Sequence, residues 1–158
     1  MTRRWFRSPA PATGDRPDRP PDPHGRATVP ITTEADVAVV RRRARELATE
    51  LQFDTFSLAA ITTAASELSR NVWRHGGGGY AVLERVRDGA RVGVKLLFVD
   101  EGPGVRDLDR ALQGGWSTGR SLGLGLSGSR RLVDEFEIET APGKGTRVEI
   151  VKWLRVRR

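Results

Sequence analysis

Val94-Lys-Leu-Leu-Phe-Val-Asp100-Glu-Gly-Pro-Gly104 is an apolar strand that ends in a carboxylate and two nearby glycines. A carboxylate at a buried strand end needs a strong donor partner, because burying it without one is costly. The exocyclic amino group of adenine is such a donor. Gly102 and Gly104 remove side chains where a flat base must approach. Alone, the segment also reads as an ordinary glycine-proline turn, so its neighbours decide.

Upstream lies a helix capped by Asp54 and running to about Arg74. Leu58, Ile61, Ala65, Leu68 and Val72 form one apolar stripe at helical spacing. Glu67, Asn71 and Arg74 fall on nearly the opposite side, with the small residues Ala60 and Ala64. Glu67 and Asn71 are four apart, so their side chains meet. A carboxylate beside an amide oxygen suits a hard cation such as Mg²⁺; an exposed polar pair on a solvated helix has the same spelling. Gly76 to Gly79 end the helix, because glycine accepts left-handed dihedrals.

Downstream, Gly119-Arg-Ser-Leu-Gly123-Leu-Gly125-Leu126 leads into a helix. Successive backbone N–H groups at a helix start bind anions, and glycines let them come close. No Gly-Lys-Ser/Thr closes the run, so it is not a Walker A loop, and the protein-kinase signatures His-Arg-Asp and Asp-Phe-Gly are absent. Gly114-Gly-Trp-Ser-Thr118 before it suits a mobile cover over a nucleotide. Finally, Gly143-Lys-Gly145-Thr146 is a tight turn that presents a threonine hydroxyl at a strand start.

The 158 residues suffice for one domain with a real core. The absence of cysteine excludes disulfides and thiolate metal sites, and His24 and His75 are the only histidines. No apolar run approaches the roughly 20 residues needed to cross a bilayer, and the N-terminus does not read as a signal region. The expectation is a cytoplasmic protein without membrane contact. The net charge of +7 gathers partly at the ends, in Arg3, Arg4, Arg7, Arg16, Arg19 and Arg26 and in Arg155, Arg157 and Arg158. Without an aromatic-rich reader motif this favours a solvated basic chain over nucleic-acid binding.

Residues 1–28 read as a disordered Pro/Arg-rich tail, 29–154 as the folded domain and 155–158 as a basic C-terminal end. Val29-Pro-Ile31 reads as a short strand. Thr32 or Thr33 caps a helix through about Gln52, with Ala35, Val39, Ala44, Leu47 and Leu51 partly periodic. Tyr80 to Arg87 and Arg91 to Asp100 form a hairpin around Asp88-Gly89. Helices follow near 105–112 and 123–134, then a second hairpin of 136–140 with 146–154. The fold class is α+β: a two-layer α/β sandwich of three or four helices on a four- or five-stranded mixed sheet.

In this order, the four segments resemble the N, G1, G2 and G3 boxes of the GHKL (Bergerat) ATPases. The finer pattern is Ala65-Ser-Glu-Leu-Ser-Arg-Asn71, Arg74-His-Gly-Gly-Gly-Gly79, Asp100-Glu-Gly-Pro-Gly-Val105, Trp116-Ser-Thr-Gly119, Leu122-Gly-Leu-Gly-Leu126, Arg130-Arg-Leu-Val-Asp-Glu-Phe136 and Gly143-Lys-Gly-Thr146. It is similar to the RsbT-type switch kinases, small serine/threonine kinases of the anti-sigma-factor branch, over roughly residues 29–154. The resemblance implies ATP and Mg²⁺ as cofactors. It also implies a STAS-domain antagonist as substrate, often in a stressosome, and a PP2C-type phosphatase as second partner.

It further implies Glu67 as general base, Asn71 as Mg²⁺ ligand and Asp100 as the adenine-binding acid. Gly102, Gly104, Gly119, Gly123, Leu124, Gly125, Leu126, Gly145 and Thr146 then make up the nucleotide cradle. Arg74, Arg120 and Arg130 are candidate phosphate-charge stabilisers, and His75 reads as a helix-terminal structural residue. The alternative is an anti-sigma factor of the same fold that grips a sigma factor directly.

Overall fold

The computed structural model describes residues 25–113 and 125–156, and builds a five-stranded sheet in the order β1-β2-β3-β5-β4 with helices on one face. The strands are β1 (Ala27–Ile31), β2 (Gly79–Asp88), β3 (Arg91–Asp100), β4 (Glu135–Thr140) and β5 (Thr146–Trp153). The helices are α1 (Glu34–Glu50), α2 (Thr55–Arg74), α3 (Leu108–Gln113) and α4 (Gly125–Leu132). Ala27 and Thr28, expected within a tail through residue 28, instead pair with Leu83 and Val82 of β2. Residues 1–24 lie outside the described residues, as do Arg157 and Arg158.

The α+β two-layer class holds, but the sheet is not mixed. All four ladders are antiparallel. The chain does return from β3 through α3 and α4 to a strand of the same direction, β4. The slot between them is filled by β5, which pairs with both and runs opposite to each. A same-direction crossover thus yields no parallel ladder.

Alternation along the strands sets the two faces. Ala81, Leu83, Val94, Leu96, Phe98, Val148 and Ile150 point to the helices and are buried. The other face is lined by cross-strand ion pairs, Lys95 with Glu84 at 2.8 Å and Arg147 with Glu139 at 3.8 Å. Such pairs keep a solvated sheet face soluble. Trp153 lies across Gly93 on this face, donates to Glu135 at 2.8 Å and stacks under the Arg91 guanidinium.

In α1 the buried residues are Val37, Val40, Ala44, Leu47 and Ala48. Ala35, expected in that stripe, is exposed; the three- and four-residue spacing runs from Val37 instead. The Asp36 carboxylate accepts the N–H groups of Thr32 and Thr33, both at 2.8 Å, which secures the helix start. Asp54 caps α2 as expected, its side chain accepting Ser57 N–H at 2.9 Å. At the other end the Asn71 carbonyl accepts both His75 N–H at 2.9 Å and Gly76 N–H at 3.1 Å. Gly77, with φ +72°, then turns the chain out of the helix.

The apolar stripe of α2 packs into the core as expected, with Ile61, Ala65, Leu68 and Val72 buried and Leu58 half-buried. Ala60 and Ala64 are also buried, not on the open side with Glu67. The helix touches α1 and α4 as well as the sheet, and small residues let neighbouring helices approach. Its solvent-facing arc is narrower than the sequence suggested.

Leu68 sits directly beside Glu67 and is 1% exposed, so it anchors the chemically interesting part of α2 to the core. Leu68→Ala should destabilise the fold by about 2–5 kcal/mol, the usual cost of a large-to-small core change. Urea unfolding followed by circular dichroism measures this; a loss under about 1 kcal/mol would be inconsistent with the packing described.

Candidate functional site

Asp100 ends β3, the middle strand of the sheet, and is flanked in register by Gly79 of β2 and Thr146 of β5. Its Oδ1 accepts the Gly102 N–H at 3.0 Å. Burial pushes the carboxyl up from its ordinary range; the N–H groups of Gly102 and Thr146 and the nearby His75 pull against that rise. His75 caps the C-terminus of α2, so the expected helix-terminal histidine also lends Asp100 favourable charge.

The backbone closes on this carboxylate from three directions. A Cβ on Gly76 would collide with the side chain of Asp100, and one on Gly79 would strike the Val99 carbonyl oxygen. A Cβ on Gly145 would strike the Asp100 carbonyl oxygen and come within 2.9 Å of Glu101 Cα. A Cβ on Gly104 would strike the Ala141 carbonyl oxygen. At Gly102 and Gly104 bare backbone meets the end of α2 and the β4–β5 turn respectively, where a side chain would collide. Gly76 and Gly79, read only as helix terminators, bring bare backbone against Asp100 and Val99.

The turn between β4 and β5 is tied to the Asp100–Gly104 loop. Gly143 N–H donates to the Pro103 carbonyl at 2.7 Å, and Val105 N–H donates to Thr140 Oγ1 at 2.9 Å. Thr140 Oγ1 in turn donates to the Gly145 carbonyl at 2.9 Å. A hydroxyl has one proton, so in the Thr140–Thr146 contact at 3.0 Å Thr146 is the donor. Thr146 Oγ1 then keeps its lone pairs to accept from a ligand. Thr140 was not singled out in the sequence; its signal was its place opposite Thr146 across a tight hairpin.

Glu67 and Asn71 lie one turn apart on α2, both half-buried. Glu67 Oε1 accepts from Arg70 at 2.7 Å, which leaves Oε2 without a partner among the described residues. Arg70 was also missed, although its three-residue spacing from Glu67 was readable. Among the described residues nothing bonds the Asn71 carboxamide, so its oxygen is available to a cation. A half-buried carboxylate in a side-chain-free niche and an unengaged amide on the adjoining helix fit a nucleotide base and its metal.

Gly125 opens α4 with φ +52°, consistent with a chain turning into a helix. The Leu126 side chain packs against the core, so only its backbone is left for a ligand. Gly119, Arg120, Gly123 and Leu124 lie outside the described residues. Arg130 is exposed on α4, and Arg74 is exposed with its guanidinium 5.8 Å from the Trp73 ring. Among the described residues no contact ties either arginine to Asp100. No helix among the described residues is long and apolar enough to cross a membrane, and none of them form a His/Cys/Asp/Glu metal cluster.

The family model of the histidine kinase-like ATPase domain matches residues 30–152. The serine/threonine-protein kinase RsbT of Bacillus subtilis (strain 168) is 42% identical over 127 residues, which cover 80% of this chain and 96% of that protein. The anti-sigma F factor of Thermoanaerobacter sp. (strain X514) is 31% identical over 103 residues, covering 61% and 71% respectively. A solved structure of the RsbU and RsbW domains of Rv1364c from Mycobacterium tuberculosis superposes with a TM-score of 0.57 at 23% identity. It covers 84% of this chain, which spans 34% of that one, and at this identity it speaks to the fold alone.

The raised carboxyl of Asp100 carries a stability consequence. When the folded state holds the proton more tightly than the unfolded state, ionisation costs stability above the folded value. The cost vanishes below the ordinary value of 3.8. Asp100→Asn should therefore raise the melting temperature of the nucleotide-free protein at pH 7. The gain should shrink as pH falls toward 3.8. Differential scanning calorimetry across that range checks it; a lower melting temperature at pH 7 would mean that the donors outweigh burial.

Proposed function

The chain belongs to the histidine kinase-like ATPase family as a serine/threonine kinase of the RsbT type, and from that premise we propose that it transfers phosphate from Mg-ATP to a serine or threonine of a STAS-domain antagonist protein. The carrying observation is the half-buried Asp100 in its glycine niche beside the helix of Glu67 and Asn71.

Bound Mg-ATP supplies the phosphoryl group and the cation that neutralises its charge. Asp100 accepts the adenine amino group through its carboxylate, while Gly102 N–H fixes the orientation of Oδ1. Gly104, Gly145 and Thr146 keep the base end narrow and add one hydroxyl acceptor. Asn71 would hold the metal, whose charge would offset that of the phosphates. Glu67, steadied by Arg70 through Oε1, receives the proton of the incoming hydroxyl on Oε2. Gly119, Gly123, Leu124, Gly125 and Leu126 offer backbone N–H groups to the phosphates. Positioning and charge neutralisation dominate phosphoryl transfer, so a domain this small suffices.

In this reading the protein works in the cytoplasm as a partner switch in sigma-factor or stress regulation. The antagonist sits in a stressosome-type assembly, and release of the kinase frees it for a PP2C-type phosphatase. The likeness to an anti-sigma F factor keeps a second reading open, in which the chain grips a sigma factor directly.

Glu67→Ala should fold and bind Mg-ATP yet transfer phosphate at least about 100-fold more slowly, the range expected for loss of a positioned proton acceptor. Asn71→Ala should lose transfer and also weaken Mg-ATP binding. The assay uses radiolabelled ATP with each candidate STAS protein, beside a pull-down with sigma factors. A wild-type chain that labels no STAS protein but captures a sigma factor would replace the first reading with the second.

A further inference from the structure

The run Gly76 to Gly79 does more than stop α2, and its members have different tasks. Gly77 has φ +72° and nothing near the place of a Cβ, so it is there for the backbone turn. Gly76 is not among the glycines with positive φ, so its backbone suits any residue. What excludes a side chain at 76 is space. A Cβ there would overlap Cβ and Cγ of Asp100 and lie 2.7 Å from Oδ2. On the same side, a Cβ on Gly102 would lie 2.6 Å from Gly76 Cα and 2.8 Å from its carbonyl oxygen. The end of α2 and the loop after β3 therefore meet backbone to backbone, with the Asp100 carboxyl group between them.

We propose that Gly76 is a positioning residue for adenine selectivity: its bare α-carbon sets the direction in which the Asp100 carboxylate faces the base. The inference rests on the reading of Asp100 as the acceptor of the adenine amino group. Gly102 N–H holds Oδ1 from the loop side. Gly76 limits the carboxyl from the helix side, so its rotation is confined between the two. A methyl group at 76 turns or displaces the carboxylate without removing its charge. The loss falls on the one ligand group that the carboxylate addresses, the amino group of the base. The same contact ties Asp100 to the helix that carries Glu67 and Asn71, so one residue registers the base-binding acid against the catalytic helix.

The experiment compares Mg-ATP with Mg-purine riboside triphosphate, which lacks the 6-amino group, by calorimetric titration of the full chain. Wild type should prefer ATP by roughly 10- to 100-fold, the worth of a hydrogen bond to a charged acceptor. Gly76→Ala should lose most of its ATP affinity and little of its affinity for the analogue, so the ratio falls toward one. Gly77→Ala should melt at lower temperature and keep the ratio. Equal losses on both nucleotides, or an unchanged ratio in Gly76→Ala, overturn the inference. A wild type with no preference overturns the Asp100 reading and this inference with it. Should Gly76→Ala not fold, adding Asp100→Gly removes the atoms that collide. Recovered folding supports the contact, and continued failure places the constraint elsewhere and overturns the proposal.

Discussion

Everything at the business end of this molecule is arranged around a carboxylate that the fold half-buries. An ionised carboxyl taken out of water is expensive unless donors meet it. Here the donors are main-chain N–H groups of Gly102 and Thr146, with the charge of His75 nearby. They do not cancel the cost of burial, since the carboxyl still sits above its ordinary range. Its own protein therefore does not fully satisfy this carboxyl, and in the proposed function the adenine amino group is the further donor.

The neighbouring structure closes on this carboxylate as bare backbone, from β2, from α2 and from the β4–β5 turn. Each approach falls at a glycine that no other residue can replace without collision. The turn is held shut by Thr140, whose single hydroxyl joins Val105, Gly145 and Thr146. A loop and a hairpin distant in sequence thus become one rigid wall. Preorganisation of this kind lowers the entropy that a ligand must remove on binding.

Much of this was legible in the sequence, for reasons that differ by element. The Asp54 cap, the β2–β3 hairpin and the β5 strand follow from local chemistry: a capping carboxylate, an Asp-Gly turn and alternating apolar residues. Asp100 stood out because a carboxylate at a buried strand end is unusual, and Glu67 through its spacing from Asn71 and the resemblance of its segment to the N box. The antiparallel sheet was not legible, because it depends on β5 inserting between β3 and β4, a long-range pairing without a local signature. Burial of Ala60 and Ala64 was missed for a similar reason: small residues look neutral until a second helix, here α1 or α4, rests near them. The steric task of Gly76 was hidden behind a sufficient local explanation, since glycines after a helix already make sense as a stop signal.

Helix α2 shows how one element serves both the core and the chemistry. Its buried side includes Ile61, Ala65, Leu68 and Val72, so its axis cannot shift without opening the core. Its open arc carries Glu67 and Asn71, and its last turn delivers His75 and Gly76 to Asp100. Asp100 and Glu67, the two acids of the proposed site, are therefore referenced to one rigid body. Within that body Glu67 has a choice of partner that Asp100 lacks. Arg70 engages one of its oxygens and fixes its direction, yet leaves the other to accept a proton. In the proposed function, binding a nucleotide calls on the Asp100 end of the arrangement, whereas transferring its phosphate calls on Glu67 as well, and the open Oε2 is the feature that a nucleotide-dependent binder of the same fold would not require.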